Sequence, residues 1–116
     1  MSVISFLGTG AVETMVKLTT TGATDILVAS DKAIAVAAIQ VNETAAQTPN
    51  LTMAVTDGTT TYYLGAGGKT WNANAMTAKQ SVEFSPFVLS RGYTLKATSS
   101  GVGGGVDVLV LSDPLV

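Results

Sequence analysis

Apolar and polar positions alternate with a period of two along most of this chain, the spacing that sends successive side chains to opposite faces of a β-strand. Val12, Thr14, Val16 and Leu18 fall on one face and Glu13, Met15, Lys17 and Thr19 on the other, which predicts a strand with two unlike sides. Thr20-Thr21-Gly22-Ala23 supplies a turn. Residues 25–29 (DILVA) are short, β-branched and apolar on both faces, a pattern suited to a strand covered on both sides. In residues 33–41 (AIAVAAIQV) the alanines favour helix, whereas Ile34, Val36, Ile39 and Val41 favour strand. Strand is the expectation, because the flanking segments are strands and no capping box precedes the run. Residues 42–50 (NETAAQTPN) read as a loop, since Pro49 has no N–H for a central strand.

The second half continues in the same texture. Leu51, Met53 and Val55 alternate with Thr52, Ala54 and Thr56, and Asp57-Gly58 then marks a hairpin returning through residues 60–64. Trp71 lies in a longer, glycine-rich connection. Val82 and Phe84 form a strand that Pro86 ends, and Phe87-Val88-Leu89 leads into a turn at Ser90-Arg91-Gly92. Tyr93, Leu95 and Ala97 form the next strand, and the glycines at 101 and 103–105 a flexible turn. Val106, Val108 and Val110 share one face of a last strand, with Asp107, Leu109 and Leu111 on the other. Short strands at this spacing predict an all-β fold, an antiparallel β-sandwich or jelly-roll-like barrel of about eight strands. Residues 1–11 are expected to form an extended N-terminal arm, and residues 12–116 a single sandwich domain.

Composition narrows the function more than the fold. Charged residues make up 12% of the chain, about half of what soluble domains carry. Thr, Ser, Gly and Ala therefore cover much of the exterior, a surface that desolvates cheaply and suits the centre of a protein interface. The net charge of −2 and the scatter of Lys17, Lys32, Lys69, Lys79, Arg91 and Lys96 argue against nucleic acid, whose phosphates require basic clusters. No apolar run approaches the ~18 residues of a membrane span, and the opening segment lacks the basic start and long apolar core of a signal peptide. The expectation is a protein made in a host cytoplasm, with no membrane partner. Mean hydropathy is nonetheless +0.41. Apolar residues on both faces of residues 25–29 and 106–111 exceed the needs of one small core. Leu27, Leu109 and Leu111, together with Val3, Ile4, Phe6 and Leu7 of the arm, are accordingly the candidate interface residues.

Candidate chemistry is sparse. The chain has no cysteine and no histidine, which removes thiolate nucleophiles, disulfides and the commonest general base and metal ligand. Phe6-Leu7-Gly8-Thr9-Gly10 imitates the start of a dinucleotide fingerprint, but Glu13 stands at the third glycine position and no helix follows. Gly68-Lys69-Thr70 resembles the end of a phosphate loop, yet Tyr63 occupies the position of its first glycine and the context is β. The acids Glu13, Asp25, Asp31, Glu43, Asp57, Glu83, Asp107 and Asp113 match neither a calcium loop nor a catalytic pair, so turn and surface roles are expected. No catalytic, metal-binding or cofactor-binding residue is assigned. Two glycosylation sequons, at Asn42 and Asn50, matter only in a secreted eukaryotic protein. Trp71, Tyr62, Tyr63 and Tyr93 either fill the core or form an aromatic platform for sugar, with core packing the expectation.

The segments VKLTTTGATDILVA, AVTDGTTTYYL and FVLSRGYTLKATSSG, followed by a terminal apolar strand, resemble the small β-sandwich accessory proteins of tailed bacteriophage virions. The similarity covers most of the chain and lies in a texture of Thr-Gly-Ala turns and Val-rich strands. The resemblance implies a non-enzymatic protein that decorates or cements the capsid surface, seated as a homotrimer on the major capsid protein. It implies no catalytic residues. A head-to-tail connector or tail accessory protein has the same strand chemistry, and a carbohydrate- or receptor-binding module is the remaining alternative.

Overall fold

The computed structural model describes residues 11–101 and 105–115, which form twelve strands and no helix. In chain order they are β1 (Val12–Leu18), β2 (Thr24–Val28), β3 (Ile34–Glu43), β4 (Asn50–Thr56), β5 (Thr61–Tyr63) and β6 (Gly65–Ala66), then β7 (Lys69–Thr70), β8 (Asn74–Ala75), β9 (Ser81–Phe84), β10 (Phe87–Leu89), β11 (Thr94–Ser99) and β12 (Val106–Pro114). Two five-stranded antiparallel sheets pack face to face. One runs β1-β12-β3, with β9 and β10 both on the far side of β3; the other runs β2-β11-β4, with β5 and β8 both beyond β4. We call them sheet A and sheet B. β6 and β7 make a separate small hairpin. The chain is a β-sandwich, and its first and last described strands are neighbours in sheet A.

The period-two reading places the inner faces of β1, β4, β11 and β12 correctly, whereas in β3 a register shift leaves Ala37 as an extra residue and brings Val36 and Ile39, of opposite parity, to the same core. Leu18 of β1, Val106, Val108 and Val110 of β12, and Val36, Ile39 and Val41 of β3 are buried against Leu51, Met53, Leu95 and Ala97 of sheet B. The strand expectation for residues 33–41 holds, because tertiary pairing on both sides of β3 outweighs the modest helix preference of its alanines.

Several expectations change. The strand count among the described residues is twelve rather than about eight, because the connection around Trp71 forms the short strands β6, β7 and β8 and a proline divides one edge. Ser85-Pro86 splits one edge into β9, paired with residues 39–42 of β3, and β10, paired with residues 34–36. Phe87-Val88-Leu89 is therefore a strand in its own right. β3 continues through Asn42 and Glu43, which the sequence reading placed in the loop. Residues 25–29 are not covered on both sides. Among the described residues β2 is an edge strand paired only with β11, and Val28 is exposed. Their apolar character on both faces has a local cause: the register shift between Leu95 and Lys96 leaves Ile26 as the extra residue of a bulge, so that Ile26 and Leu27, although consecutive, both reach the core.

Turn chemistry fits its positions. Asp57 Oδ1 accepts from the amides of Thr59 (2.8 Å) and Thr60 (2.7 Å), closing the β4–β5 hairpin around Gly58 at φ 95°. These amides hold its carboxyl below the usual carboxylate range, Thr60 contributing most. Gly92, at φ 90°, donates to Ala29 O at 2.6 Å and ties the turn before β11 to the end of β2.

Candidate docking face

The outer faces of the two sheets differ in kind. On sheet B the outward rows are Val28–Thr94–Thr56–Thr61, Asp25–Lys96–Ala54–Tyr63 and Thr98–Thr52. Threonine hydroxyls and one 3.1 Å ion pair between Lys96 and Asp25 make most of this face polar, with Val28 and Tyr63 exposed among them. On sheet A the outward rows are Lys17–Asp107–Asn42–Ser81, Met15–Leu109–Gln40–Glu83 and Glu13–Leu111–Ala38. The first row is closed by a 2.6 Å ion pair between Lys17 and Asp107. Beside it Met15, Leu109, Leu111 and Ala38 line an open groove of ≈540 Å³. Met15 is 72% exposed, the most of any large apolar residue described. Gln40 donates to Glu83 at 3.5 Å and accepts from Asn42 at 3.4 Å, so the groove's far wall is polar but its hydrogen bonds are largely internal.

This arrangement follows from strand alternation. Val106, Val108 and Val110 occupy the inner side of β12, so Leu109 and Leu111 must point outward, and β1 and β3 set Met15 and Ala38 beside them in register. Burying such a stripe against a partner returns about 25 cal/mol per Å² of apolar surface. The carboxylates of Glu13 and Glu83 also line the groove, and that gain is kept only where they stay solvated or meet a cation on the partner.

The structure brings two of the candidate interface residues together: Leu109 and Leu111 sit side by side in this groove. Leu27 is elsewhere, on the edge strand of the other sheet, opposite Leu95 and packed against the core. Val3, Ile4, Phe6 and Leu7 lie outside the described residues, as does all of the expected arm except Ala11. Met15, Ala38 and the exposed Val88 of β10 were not singled out from sequence. A methionine on the charged side of an alternating strand was the available signal for the first of them.

No family model, curated protein or solved structure matches this chain.

The aromatic residues divide. Trp71 is buried, 2% exposed, with its indole N–H donating to Ala66 O at 3.1 Å and Lys69 Nζ 5.6 Å from the ring centre. It fills the core and has no free face for a sugar. Core packing fails for Tyr62 and Tyr63, both exposed on the short outer strand β5. The rings of Tyr62 and Tyr93 lie 6.3 Å apart, tilted by 44°, and with Phe87 they line a cleft of ≈190 Å³. Desolvation first, then the negative charge of Asp57 and the neighbouring Tyr62, raises the Tyr93 hydroxyl above its ordinary pKa.

Glu43 departs from the surface role expected of it. It is 2% exposed, and its carboxylate accepts from the amides of Lys79 and Ala45, each at 2.9 Å. The Lys79 amide is the main cause of a pKa below the ordinary carboxylate value, partly opposed by desolvation. Lys79 itself has φ 61°, and its ammonium donates to Thr44 O at 2.6 Å. Glu43 thus pins the end of β3 to the loop before β9.

Proposed function

We propose that this chain is a non-enzymatic structural module that works by associating with copies of itself and with a larger assembly, as a capsid decoration or cement protein of a phage head. The observation that carries the reading is the outer face of sheet A. An apolar stripe of exposed Met15 and Ala38 and half-buried Leu109 and Leu111 lies beside the ion-paired row of Lys17 and Asp107, on a chain with 12% charged residues and neither histidine nor cysteine. A cement protein must bury uncharged surface at many identical sites, each modest, which together restrain a shell through multivalency. The resemblance noted above implies three copies per unit and a seat on the major capsid protein.

The test is co-sedimentation of the purified protein with undecorated capsids. Saturable binding that Leu109→Lys abolishes, while the variant stays folded, is the expected result. Binding indifferent to that substitution overturns the role of this face. Copy number from quantitative mass spectrometry of particles separates decoration from a connector or tail component: shell decoration gives hundreds of copies, whereas a ring on the tail axis gives its closed-symmetry number. A glycan-binding reading draws support from the exposed Tyr62 and Tyr63, and the burial of Trp71 weighs against it. Glycan-dependent change in the spectra of Tyr62→Phe and wild type would favour that alternative.

A further inference from the structure

The strand edges of the sandwich are unequally guarded. Opposite β1 in sheet A, the outer edge is broken at Pro86 between β9 and β10. In sheet B, β2 is bulged against its neighbour, and β5 and β8 have three and two residues. Breaks, bulges and short strands are among the devices that stop edges from pairing with other chains, as are edge charges. β1 has none of the first three, and its two charges, Glu13 and Lys17, are of opposite sign. Its seven residues pair with β12 in unbroken register, and among the described residues no strand lies on its other side.

The sequence of β1 is chemically self-complementary. Val12-Glu13-Thr14-Met15-Val16-Lys17-Leu18 reads, from the centre outward, as one methionine, two β-branched residues, one acid and one base, and two apolar ends. We propose that β1 pairs antiparallel with β1 of a second copy, about a two-fold axis through Met15. Full overlap then sets Glu13 opposite the partner's Lys17 and Lys17 opposite the partner's Glu13. Thr14 meets the partner's Val16, and Met15 meets the partner's Met15. All three outward positions, Glu13, Met15 and Lys17, lie on the same face as Asp107, Leu109 and Leu111, so the pairing keeps every side chain on its own side. A slip of one residue between the two copies would turn each outward side chain toward the partner's inward ones, and a slip of two would take the charges out of opposition. Lys17 keeps its bond to Asp107, since an ammonium has three donors.

The outcome is a continuous ten-stranded sheet, with the most exposed apolar side chain covered at the two-fold and the stripes of both copies joined into one face. The inference rests on the self-association part of the proposed function and names its geometry. An isologous contact closes after two copies, so it predicts a dimer where the resemblance implies a trimer.

Sedimentation velocity of the full chain across micromolar concentrations tests this. The expected wild-type species has twice the chain mass. E13K, which leaves Lys17 and Asp107 in place, sets like charges opposite each other twice per dimer and should raise the dissociation constant about tenfold or more. K17E should do the same, with far-UV circular dichroism checking that the loss of the Asp107 bond is tolerated; if it is not, E13K alone decides. Mixing E13K with K17E should restore a dimer, because every charge then faces its opposite. Deleting residues 2–10 should leave dimerisation unchanged. Association lost on that deletion would make the N-terminal segment the occupant of the edge and overturn the pairing. A trimer insensitive to E13K would also remove the β1 contact and leave the self-association reading standing, whereas a wild-type monomer would remove both.

Discussion

Trp71→Ala is the substitution that asks most of this fold. Trp71 sits between the small β6–β7 hairpin and β8, outside the two main sheets, yet it is 2% exposed and part of the central core. Its backbone holds the excursion to β4: its amide donates to Leu64 O at 2.9 Å, and its carbonyl accepts from Met53 N at 2.9 Å. Its indole N–H donates to Ala66 O at 3.1 Å. Truncation removes the largest buried side chain of the protein and leaves a void between rigid strands that collapse poorly. Substitutions of this kind cost about 3–5 kcal/mol, about a fifth or more of the stability of an ordinary domain. For a chain of this length that is a fall in Tm of roughly 12–20 °C. Trp71→Phe retains most of the volume and leaves the Ala66 carbonyl without its donor, at a cost of about 1–2 kcal/mol. Urea unfolding followed by circular dichroism measures both. Trp71 is the single tryptophan, so its native emission reports the site without interference and should be blue-shifted, red-shifting on unfolding. A Trp71→Ala variant within about 1 kcal/mol of wild type, or native emission like that of free tryptophan, would refute the core assignment.

Three further outcomes are expected. Glu43 has a folded pKa below its unfolded value, so its contribution to stability is complete above the ordinary carboxylate pKa and is lost as pH falls through the lower folded value; Glu43→Gln should flatten the stability profile on that acid side, as read from midpoints of denaturant unfolding at a series of pH values. Gly105→Ala would place a Cβ 3.0 Å from the Cβ of Ala45 and 3.6 Å from Glu43 Oε2, and this overpacking should cost about 1–3 kcal/mol by the same assay. Met15→Ser removes an exposed side chain, so stability should stay within about 0.5 kcal/mol of wild type while capsid binding or self-association weakens; an unfolded variant would mean that Met15 is part of the core after all.

The alternation of apolar and polar residues sufficed to predict an all-β antiparallel sandwich or jelly-roll-like barrel, the common face of the apolar residues in β1, β4, β11 and β12, and the outward direction of Leu109 and Leu111. That much was legible because a strand's period is local: each residue's face follows from its neighbours' faces. Glycine and proline marked the breaks, although their effect on strand number depended on which partner each piece found. Tertiary structure alone decided the rest. Ile26 and Leu27 share the core because a register shift against β11 turns the strand. Glu43 is buried because an amide 36 residues away reaches its carboxylate, and Trp71 is buried because β4 and Leu64 hold its backbone in place. The contrast between a threonine-rich outer face and one with a leucine–methionine stripe arises from pairing strands distant in the chain. Each of these depends on long-range contacts, whose partners a local pattern does not name; the period of a strand tells which way a side chain points, and only the assembled sheets tell what it meets there.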